Sequence, residues 1–375
     1  GETRHKSSLL LTSREKPKEV ALLEGKKTLV RSLSLVGLNS SEGYSLLESE
    51  ELSGSNEEWR NLVDLYSGNP LYLKIVSEAI RTLFKGNIAS FLKQGMTVFG
   101  DIRDPLDIQF SRLSDLEREV IYWLAIEHQE VTLSDLRGDV SFSISDRTLL
   151  GVLNSLYRRS LIETKGVDLF TLQPVIREYI IEKFVNSIWM ELEEEEINLF
   201  GQHALIKAVS KDNVRRIQID RILRPLAKRL VENFGKDGGE RKLKNILSKL
   251  RNTRNLKTGY AVGNILNLLV ELQINLHGYD FSYQIVRQAY LRGVSLTEVN
   301  FEHANLRTSV FTESFGSVLS VAFSPDQKLL AAGTANGEIR LWEVSNDAPY
   351  FSSKEHTDWV RSIAFSPDGK TIASG

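Results

Sequence analysis

The chain has 375 residues, of which 41% are hydrophobic and 26% are charged, and its formal net charge is −2. This composition is typical of globular protein, and the length is enough for two to four domains of about 100–200 residues. The small net charge excludes a strong positive electrostatic field that would attract nucleic acid or anionic membrane. The lack of cysteine excludes disulfides, thiol catalysis and zinc–cysteine sites, and it favours a cytoplasmic location. No run of about 18 apolar residues predicts a membrane-spanning helix.

Two short segments near the start predict β-strands. Residues 8–15 (SLLLTSRE) join a run of leucine to a polar turn, and residues 30–38 (VRSLSLVGL) alternate apolar and polar side chains. A strand that is apolar throughout is typical of a parallel sheet buried on both faces. Too few strands lie nearby to complete such a sheet, so we expect the chain to be part of a longer protein.

Amphipathic helices follow these strands. Trp59, Leu62 and Val63 recur at helical spacing, and a Gly-Asn pair ends that helix. Pro70 suits the first turn of the next helix, over 71–83, because its missing N–H is not needed there.

A second pattern occupies residues 105–179. Helix-start signals at 114–115, 133 and 145–146 predict three helices, and Lys165-Gly166 then separates two short β-patterned runs. Three helices followed by a hairpin describe a winged helix.

The sharpest regularity is a period of five, which neither a helix nor a strand produces. Large apolar residues recur from Leu276 to Phe311, and small or compact residues such as Ala289 and Ala304 stand two positions before the later ones. This spacing predicts a square coil with one side per repeat, whose core forms only by stacking. The pattern resembles the pentapeptide-repeat family.

A longer repeat closes the chain. Val318–Asp326 (VLSVAFSPD) matches Val360–Asp368 (VRSIAFSPD) at a period of about 42 residues, which is typical of WD40 propeller blades and resembles that family. Asn336 and Glu343 stand where the family usually has Asp, whereas His356 fits its recurrent His. A propeller closes with about 4–8 blades, so we expect blades beyond the one and a half present here.

The sequence lacks the loop that cradles phosphates in nucleotide-binding ATPases. The nearest match to G-x-x-x-x-G-K-[ST] is Gly25–Thr28, but Val20 stands where the first glycine must fall. The histidines, including His5, His128 and His203, show no metal-ligand spacing, and no catalytic triad is recognisable. The sequence therefore predicts no catalytic residue, no metal site and no ATP hydrolysis by this chain.

Three motifs, taken in order, resemble the rear half of a bacterial, cyanobacterial-type STAND NTPase of the NB-ARC class. Thr12-Ser13-Arg14 is similar to the strand end where an Arg of that family meets the γ-phosphate. Residues 68–73 (GNPLYL) are similar to its G-x-P-L-x-L motif, and the resemblance implies that Pro70 packs on adenine.

The third motif is residues 170–179 (FTLQPVIREY), which resembles the end of the family's winged helix. Gln173 stands where the family often has a His that contacts the β-phosphate of ADP, and Pro174 replaces the following Asp. The resemblance thus implies nucleotide contacts through Arg14, Pro70 and Gln173. It also implies that ADP or ATP binds the full-length parent, and that neither binds tightly to this fragment.

We therefore expect a multidomain α+β chain with an incomplete β-propeller. The predicted segments are rear strands of an α/β NTPase core (1–38), a helical domain of NB-ARC type (39–103), a winged helix (104–185), a helical spacer (186–273), a pentapeptide-repeat β-helix (274–312) and the first one and a half WD40 blades (313–375).

Three functions fit these expectations. The first is a signal-transducing switch that ADP holds closed. It opens into an ATP-bound oligomer when a protein binds the WD40 sensor. The sequence does not decide whether the full-length parent hydrolyses ATP slowly. The second is a protein-interaction scaffold without nucleotide. The third is DNA binding by the winged helix, with Arg147, Arg158 and Arg159 meeting phosphates.

Overall fold

The computed structural model divides the chain into two compact units, Gly1–Val310 and Phe311–Gly375. It describes residues 8–13, 16–25, 28–33, 35–94, 100–140, 144–166, 168–251, 259–311, 318–335, 337–345, 349–353 and 355–375.

The first segment differs from the sequence expectation. Among its described residues the regular structure is a short helix, α1 (Lys18–Leu23), and no strand forms over 8–13, 28–33 or 35–39. Leu9 and Leu10 are 93% and 90% exposed. A β-strand needs a hydrogen-bonded neighbour, and the described part of this segment provides none. The predicted rear strands of an NTPase core are therefore not seen as strands here.

A four-helix bundle comes next, formed by α2 (Ser40–Leu47), α3 (Asn56–Leu65), α4 (Pro70–Phe84) and α5 (Ile88–Gln94). Each of the first three helices begins with a side-chain cap, from Asn39, Ser55 and Asn69. The residues that predicted these helices, Trp59 and Leu62 among them, are buried in the bundle.

The next segment has the predicted order of three helices and a hairpin. Its elements are α6 (Gly100–Ser111), α7 (Asp115–Glu127), α8 (Leu133–Asp139), α9 (Asp146–Arg158), β1 (Ile162–Lys165), β2 (Leu169–Leu172) and the long α10 (Pro174–Glu194). Strands β1 and β2 are antiparallel, and Val131 adds a bridge to Phe170. Helix α7 is buried almost throughout and forms the centre of this helix–hairpin segment (residues 100–194).

A helical spacer follows. It comprises α11 (Leu199–Gln202), α12 (Asp212–Gln218), a π-helical turn (Ile219–Leu223), α13 (Arg224–Arg251), which is kinked at Gly235, and α14 (Ala261–Glu271). Helix α14 is buried along most of its length.

The pentapeptide region forms the predicted square coil. Parallel bridges join Asp280 to Asn300, Ile285 to Asn305 and Tyr290 to Val310, each pair 20 residues apart, so four pentapeptides complete one turn. Every fifth residue from Gly278 to Thr308 has a positive φ, and five of these seven corner residues are not glycine. The centres Leu276, Phe281, Val286 and Leu291 are buried, as the repeat predicts.

The second unit is antiparallel sheet. Strands β3 (Val318–Phe323), β4 (Leu329–Thr334), β5 (Ile339–Glu343) and β6 (Pro349–Ser353) lie side by side in chain order. Strands β7 (Ile363–Phe365) and β8 (Ile372–Ser374) start a second sheet. Ala331, Leu341 and Ile363 form the apolar core between them.

Candidate functional site

Of the three predicted nucleotide contacts, Arg14 lies outside the described residues, and Pro70 is the first residue of α4. A backbone hydrogen bond and a glycine with positive φ fix the conformation of the turn before Pro70. The N–H of Leu38 donates to the carbonyl of Gly68 over 2.8 Å, and Gly68 has φ of +63°. A Cβ on Gly68 would lie 2.1 Å from the Leu38 carbonyl oxygen, so this position of the motif requires glycine.

Gln173, the third predicted contact, precedes α10. Its Nε2 donates to Oε1 of Glu163 on β1 over 3.0 Å, and its side chain does not cap the helix. The carboxamide thus has a partner within the helix–hairpin segment. No hydrogen bond among the described residues joins Gln173 to Pro70, and neither residue lines the cleft described next.

A cleft of about 350 Å³ opens between the helical bundle and the helix–hairpin segment, beginning one residue after Gln173. We call it the arginine cleft. Its lining residues are Asn61, Leu65, Leu92, His128, Pro174, Arg177, Glu178 and Arg221. They come from α3, α5, the end of α7, the start of α10 and the π-helical turn, so the cleft is built by segments far apart in sequence.

The arginine cleft carries more positive than negative charge. Arg221 lies 3.6 Å from the carboxylate of Glu178. Arg177 donates through Nη2 to Oγ1 of Thr171 (2.9 Å) and to the carbonyl of Leu172 (3.0 Å). Among the described residues no carboxylate lies within 4.0 Å of the Arg177 guanidinium, and its Nε is buried without a hydrogen-bond partner.

His128 completes the polar part of the cleft. It follows α7 in a left-handed conformation (φ 53°), and its Nδ1 is buried with no partner among the described residues. Burial, together with the charges of Arg177 and Arg221, lowers the pKa of His128 to about 4. His128 is therefore a neutral imidazole at neutral pH.

A second polar cluster, which includes the last residue of α7, is largely buried. Nζ of Lys207 contacts the carboxylates of Glu127 and Asp139, the latter at 2.9 Å, and all three side chains are largely buried. One lysine faces two carboxylates, and burial raises the pKa of Asp139 to about 8, assisted by the neighbouring Glu127. We call these residues the Lys207 triad; it joins α7 and α8 to the spacer.

Buried amides extend this connection to the pentapeptide coil. Asn264 on α14 donates to the carbonyls of Phe200 and His203, each over 2.7 Å, and accepts from the N–H of Leu205. Asn267, one turn later, donates to the carbonyl of Gln288 and accepts from the N–H of Tyr290 in the coil. These hydrogen bonds fix the spacer against its neighbours on both sides.

The arginine side chains named for DNA binding are not equivalent. Arg147 is exposed on α9, and Arg158 is half-buried at its end. Arg159 lies 3.7 Å from the buried carboxylate of Glu117, so its charge is partly neutralised inside the protein.

Sequence reasoning missed the residues of the arginine cleft and the Lys207 triad. A charged residue inside an otherwise apolar run, as at Lys207 (ALIKAV), is a signal that could have found one of them. Arg221 carries no comparable signal, because its neighbours are mixed in polarity.

His356, which fits the recurrent His of the WD family, contacts a serine of the last strand. Its Nε2 lies 2.8 Å from Oγ of Ser374 on β8. The two Ser-Pro-Asp turns also match: the hydroxyls of Ser324 and Ser366 donate to Asp326 and Asp368, over 2.7 and 2.6 Å. Asn336 lies outside the described residues.

Family comparisons agree with both repeats. The model for pentapeptide repeats matches residues 274–312, and the model for the WD domain, G-beta repeat, matches residues 306–343 and 348–375. The chain contains pentapeptide and WD repeats. WD repeats generally mediate interactions between proteins, so this part of the chain is a protein-interaction module.

The chain is similar to two proteins of Nostoc sp., a cyanobacterium. It is 44% identical to the uncharacterized WD repeat-containing protein alr2800 over 398 residues, covering 96% of this chain and 32% of that protein. It is 43% identical to the uncharacterized WD repeat-containing protein alr3466 over 118 residues, covering 31% of this chain and 8% of that one. The chain thus spans about a third of the length of the first relative.

Among solved structures, the chain aligns with a Signal Transduction ATPase with Numerous Domains (STAND) protein with a tetratricopeptide repeat sensor from Pyrococcus horikoshii. The sequence identity is 19%, the TM-score is 0.21, and the alignment covers 63% of this chain and 33% of that one. This TM-score is too low to assign a common fold.

Two searches of the described residues complete the survey of sites. No helix there is both long and apolar enough to cross a membrane. No three His, Cys, Asp or Glu side chains in the same part of the chain are grouped to hold a metal ion.

Proposed function

We propose that the chain is the regulatory part of a signalling switch controlled by ADP and ATP, with WD repeats that bind a protein partner. In this proposal the helix–hairpin segment is a winged helix that closes on the nucleotide, and Pro70 contacts the adenine. The order of the motifs at Thr12–Arg14, residues 68–73 and residues 170–179 supports this function, as does the glycine requirement at Gly68.

The observation that carries the proposal is the buried polar connection between the helix–hairpin segment, the spacer and the coil. The Lys207 triad and the amides of Asn264 and Asn267 are largely or fully buried and hydrogen-bonded. Buried polar networks of this kind fix one arrangement of the elements that they join, because any other leaves polar groups unsatisfied. A switch needs such a rigid body between its sensor and its nucleotide site, whereas a tethered scaffold does not.

The free energy required of the switch is modest. A few kcal/mol of differential binding between two states is enough to invert their populations. Protein binding to the WD repeats could supply that difference only if the segments between them and the nucleotide site move together. The connection through α14 and the coil supports this requirement.

The test uses the whole gene product that contains this chain. We expect its flanking coding sequence to encode G-x-x-x-x-G-K-[ST] upstream, and we expect the product to bind ADP. Pro70→Ala removes two ring methylenes and should weaken ADP binding by about tenfold. Leu83→Ala, at an exposed position near the other end of α4 and outside the motif, is the matched control and should leave ADP binding unchanged.

The opposite result would exclude the switch. A gene product without a phosphate-binding loop, or one that has the loop but does not bind ADP, has no nucleotide to control. The chain studied here should not hydrolyse ATP above the rate of the Pro70→Ala, Arg14→Ala double variant; faster turnover would contradict the assignment of no catalytic residues.

The second candidate function is a protein-interaction scaffold, and the WD and pentapeptide repeats favour it. A scaffold presents the same surface whether or not a nucleotide is present. Pull-down of partners by the whole gene product with and without ADP therefore separates the two functions. Partners whose binding changes with ADP favour the switch, and partners that bind equally favour the scaffold.

A further inference from the structure

We propose that the arginine cleft is a binding site for a phosphate group, held by Arg177, Arg221 and His128. Arg177 lies within residues 170–179, one of the motifs behind the proposed switch, whereas Arg221 and His128 belong to none of those motifs; the proposal is argued from the cleft itself and not from the motif. It rests on a cationic cleft in which the Arg177 guanidinium has no carboxylate within 4.0 Å among the described residues.

The unmet charge of Arg177 is the central observation. A buried guanidinium is costly unless a carboxylate or another anion compensates it. Two other buried cations of this chain follow that rule: Lys207 contacts two carboxylates, and Arg215 contacts Asp212. The half-buried Arg177 donates hydrogen bonds to the neutral oxygens of Thr171 and Leu172 and forms no ion pair within 4.0 Å among the described residues. Burial lowers its pKa, and the more distant charges of Glu178 and Glu163 oppose that shift.

Donors from three elements converge on the same space. Arg177 comes from the first turns of α10, Arg221 from the π-helical turn and His128 from the end of α7, and all three line the cleft. The buried Nε of Arg177 and Nδ1 of His128 have no partner among the described residues. An anion with several acceptor oxygens would satisfy both nitrogens together.

The chemistry favours a phosphate group. Guanidinium groups match the oxygens of phosphate in geometry, and their charge-assisted hydrogen bonds are strong. Two arginines against the single carboxylate of Glu178 leave a net positive charge for a dianion. The volume of about 350 Å³ exceeds that of phosphate alone and is at the lower end of small-molecule sites, so the phosphate can belong to a larger compound.

A ligand in the arginine cleft would also join two segments. Asn61 and Leu92 line it from the helical bundle, and the cationic side chains line it from the opposite side. Because the ligand binds only when both sides are in place, it stabilises the folded arrangement, and the unfolding midpoint must rise with its concentration.

The experiment measures thermal unfolding of the full chain in chloride and in inorganic phosphate at matched ionic strength, followed by calorimetric titration with phosphate. Three variants change the cleft: Arg221→Gln, Arg177→Met and Glu178→Gln. Arg137→Gln removes an exposed arginine that pairs with Asp146 outside the cleft, and it is the matched control.

We expect phosphate to raise the midpoint of the wild type and of Arg137→Gln equally. Arg221→Gln should bind phosphate about tenfold more weakly, because it loses a charge-assisted hydrogen bond. Glu178→Gln should bind it more tightly. Arg177→Met should abolish the phosphate effect while its midpoint in chloride stays equal to that of the wild type or rises, which a merely structural arginine would not do.

Titrations with ADP and with adenosine identify the source of the phosphate group. A response to inorganic phosphate that Arg221→Gln weakens supports a free or small phosphorylated ligand. A response to ADP alone, absent with adenosine and weakened by Arg221→Gln, supports a nucleotide phosphate. The proposal is overturned if neither phosphate nor ADP shifts the midpoint, or if the shift is the same in Arg137→Gln, Arg177→Met and Arg221→Gln.

Discussion

Glu127 and His128 are consecutive residues at the end of α7, yet they belong to polar regions of opposite kind. The carboxylate of Glu127 is buried against Lys207, whereas His128 lines the arginine cleft. In the Lys207 triad the protein supplies both the cation and its counter-ions. In the arginine cleft it supplies cations in excess. The charges of the Lys207 triad are neutralised within the folded protein, whereas the arginine cleft keeps an excess positive charge that a ligand can neutralise.

The largest expected effect is that of Lys207→Met. Removing the lysine leaves Glu127 and Asp139 buried side by side without a cation, and breaking a buried ion pair in this way costs about 3–5 kcal/mol in the free energy of unfolding. Urea denaturation measures the loss. Lys228→Met, at an exposed position of α13, is the control; an equal loss in both variants would show that the triad contributes nothing particular.

Asn264→Ala tests the neighbouring buried amide. The change removes hydrogen bonds to the carbonyls of Phe200 and His203 and to the N–H of Leu205, and alanine replaces none of them. Leaving these groups unsatisfied should lower the free energy of unfolding by about 2–3 kcal/mol. Asn245→Ala, on the exposed side of α13, should cost less than about 0.5 kcal/mol in the same urea titration.

The pH dependence of stability tests the charge state of the triad. The folded-state pKa of Asp139, about 8, is above its ordinary value of 3.8, so the folded protein holds a proton that the unfolded chain releases. Stability from this proton is complete below pH 3.8 and is lost as the pH rises through 8.

Two histidines change the stability with pH in the opposite direction to Asp139, but at lower pH. His128 and His203, both with pKa lowered to about 4 by burial, favour folding as the pH rises from 4 to 6.5. Between pH 6.5 and 8 we therefore expect the free energy of unfolding to fall by about 1 kcal/mol per pH unit, and to stay level in Asp139→Asn. Urea titrations between pH 6.5 and 8 measure this change. A free energy of unfolding that stays constant in the wild type as well would contradict the raised pKa of Asp139.

The smallest expected effect is that of Arg177→Met in phosphate-free buffer. The variant loses hydrogen bonds to Thr171 and Leu172, but it also removes a half-buried charge that has no carboxylate within 4.0 Å among the described residues. These changes oppose each other, so the free energy of unfolding should change by less than about 1 kcal/mol or rise. A loss as large as that of Lys207→Met would place Arg177 with the structural charges and remove the contrast between the two regions.

The sequence predicted the parts of the fold that depend on a few neighbouring residues. Ser114 and Ser145 cap helices at the predicted starts, and the hairpin turns where Lys165-Gly166 predicts it. The pentapeptide coil follows the period of five because each side makes the same short-range contacts as the next.

The functional regions could not be predicted in the same way. Lys207 meets Glu127 across 80 positions of sequence, and the arginine cleft joins Asn61 to Arg221. Only the three-dimensional packing of α3, α7 and α10 decides which charges meet and which do not. The strands expected within residues 8–15 and 30–38 do not form in the described part of those segments for a related reason, because strand pairing depends on a neighbour that the local pattern cannot specify.

The square coil determines how insertions and deletions of pentapeptides change the direction in which the chain leaves it. Since four pentapeptides make one turn, deleting five residues between Leu276 and Val310 would redirect the outgoing chain by about a quarter turn, while deleting twenty would shorten the coil and keep the original heading. Homologues that gain or lose whole sides would thereby change the direction of whatever follows the coil in discrete steps, while each remaining side keeps its own core residue.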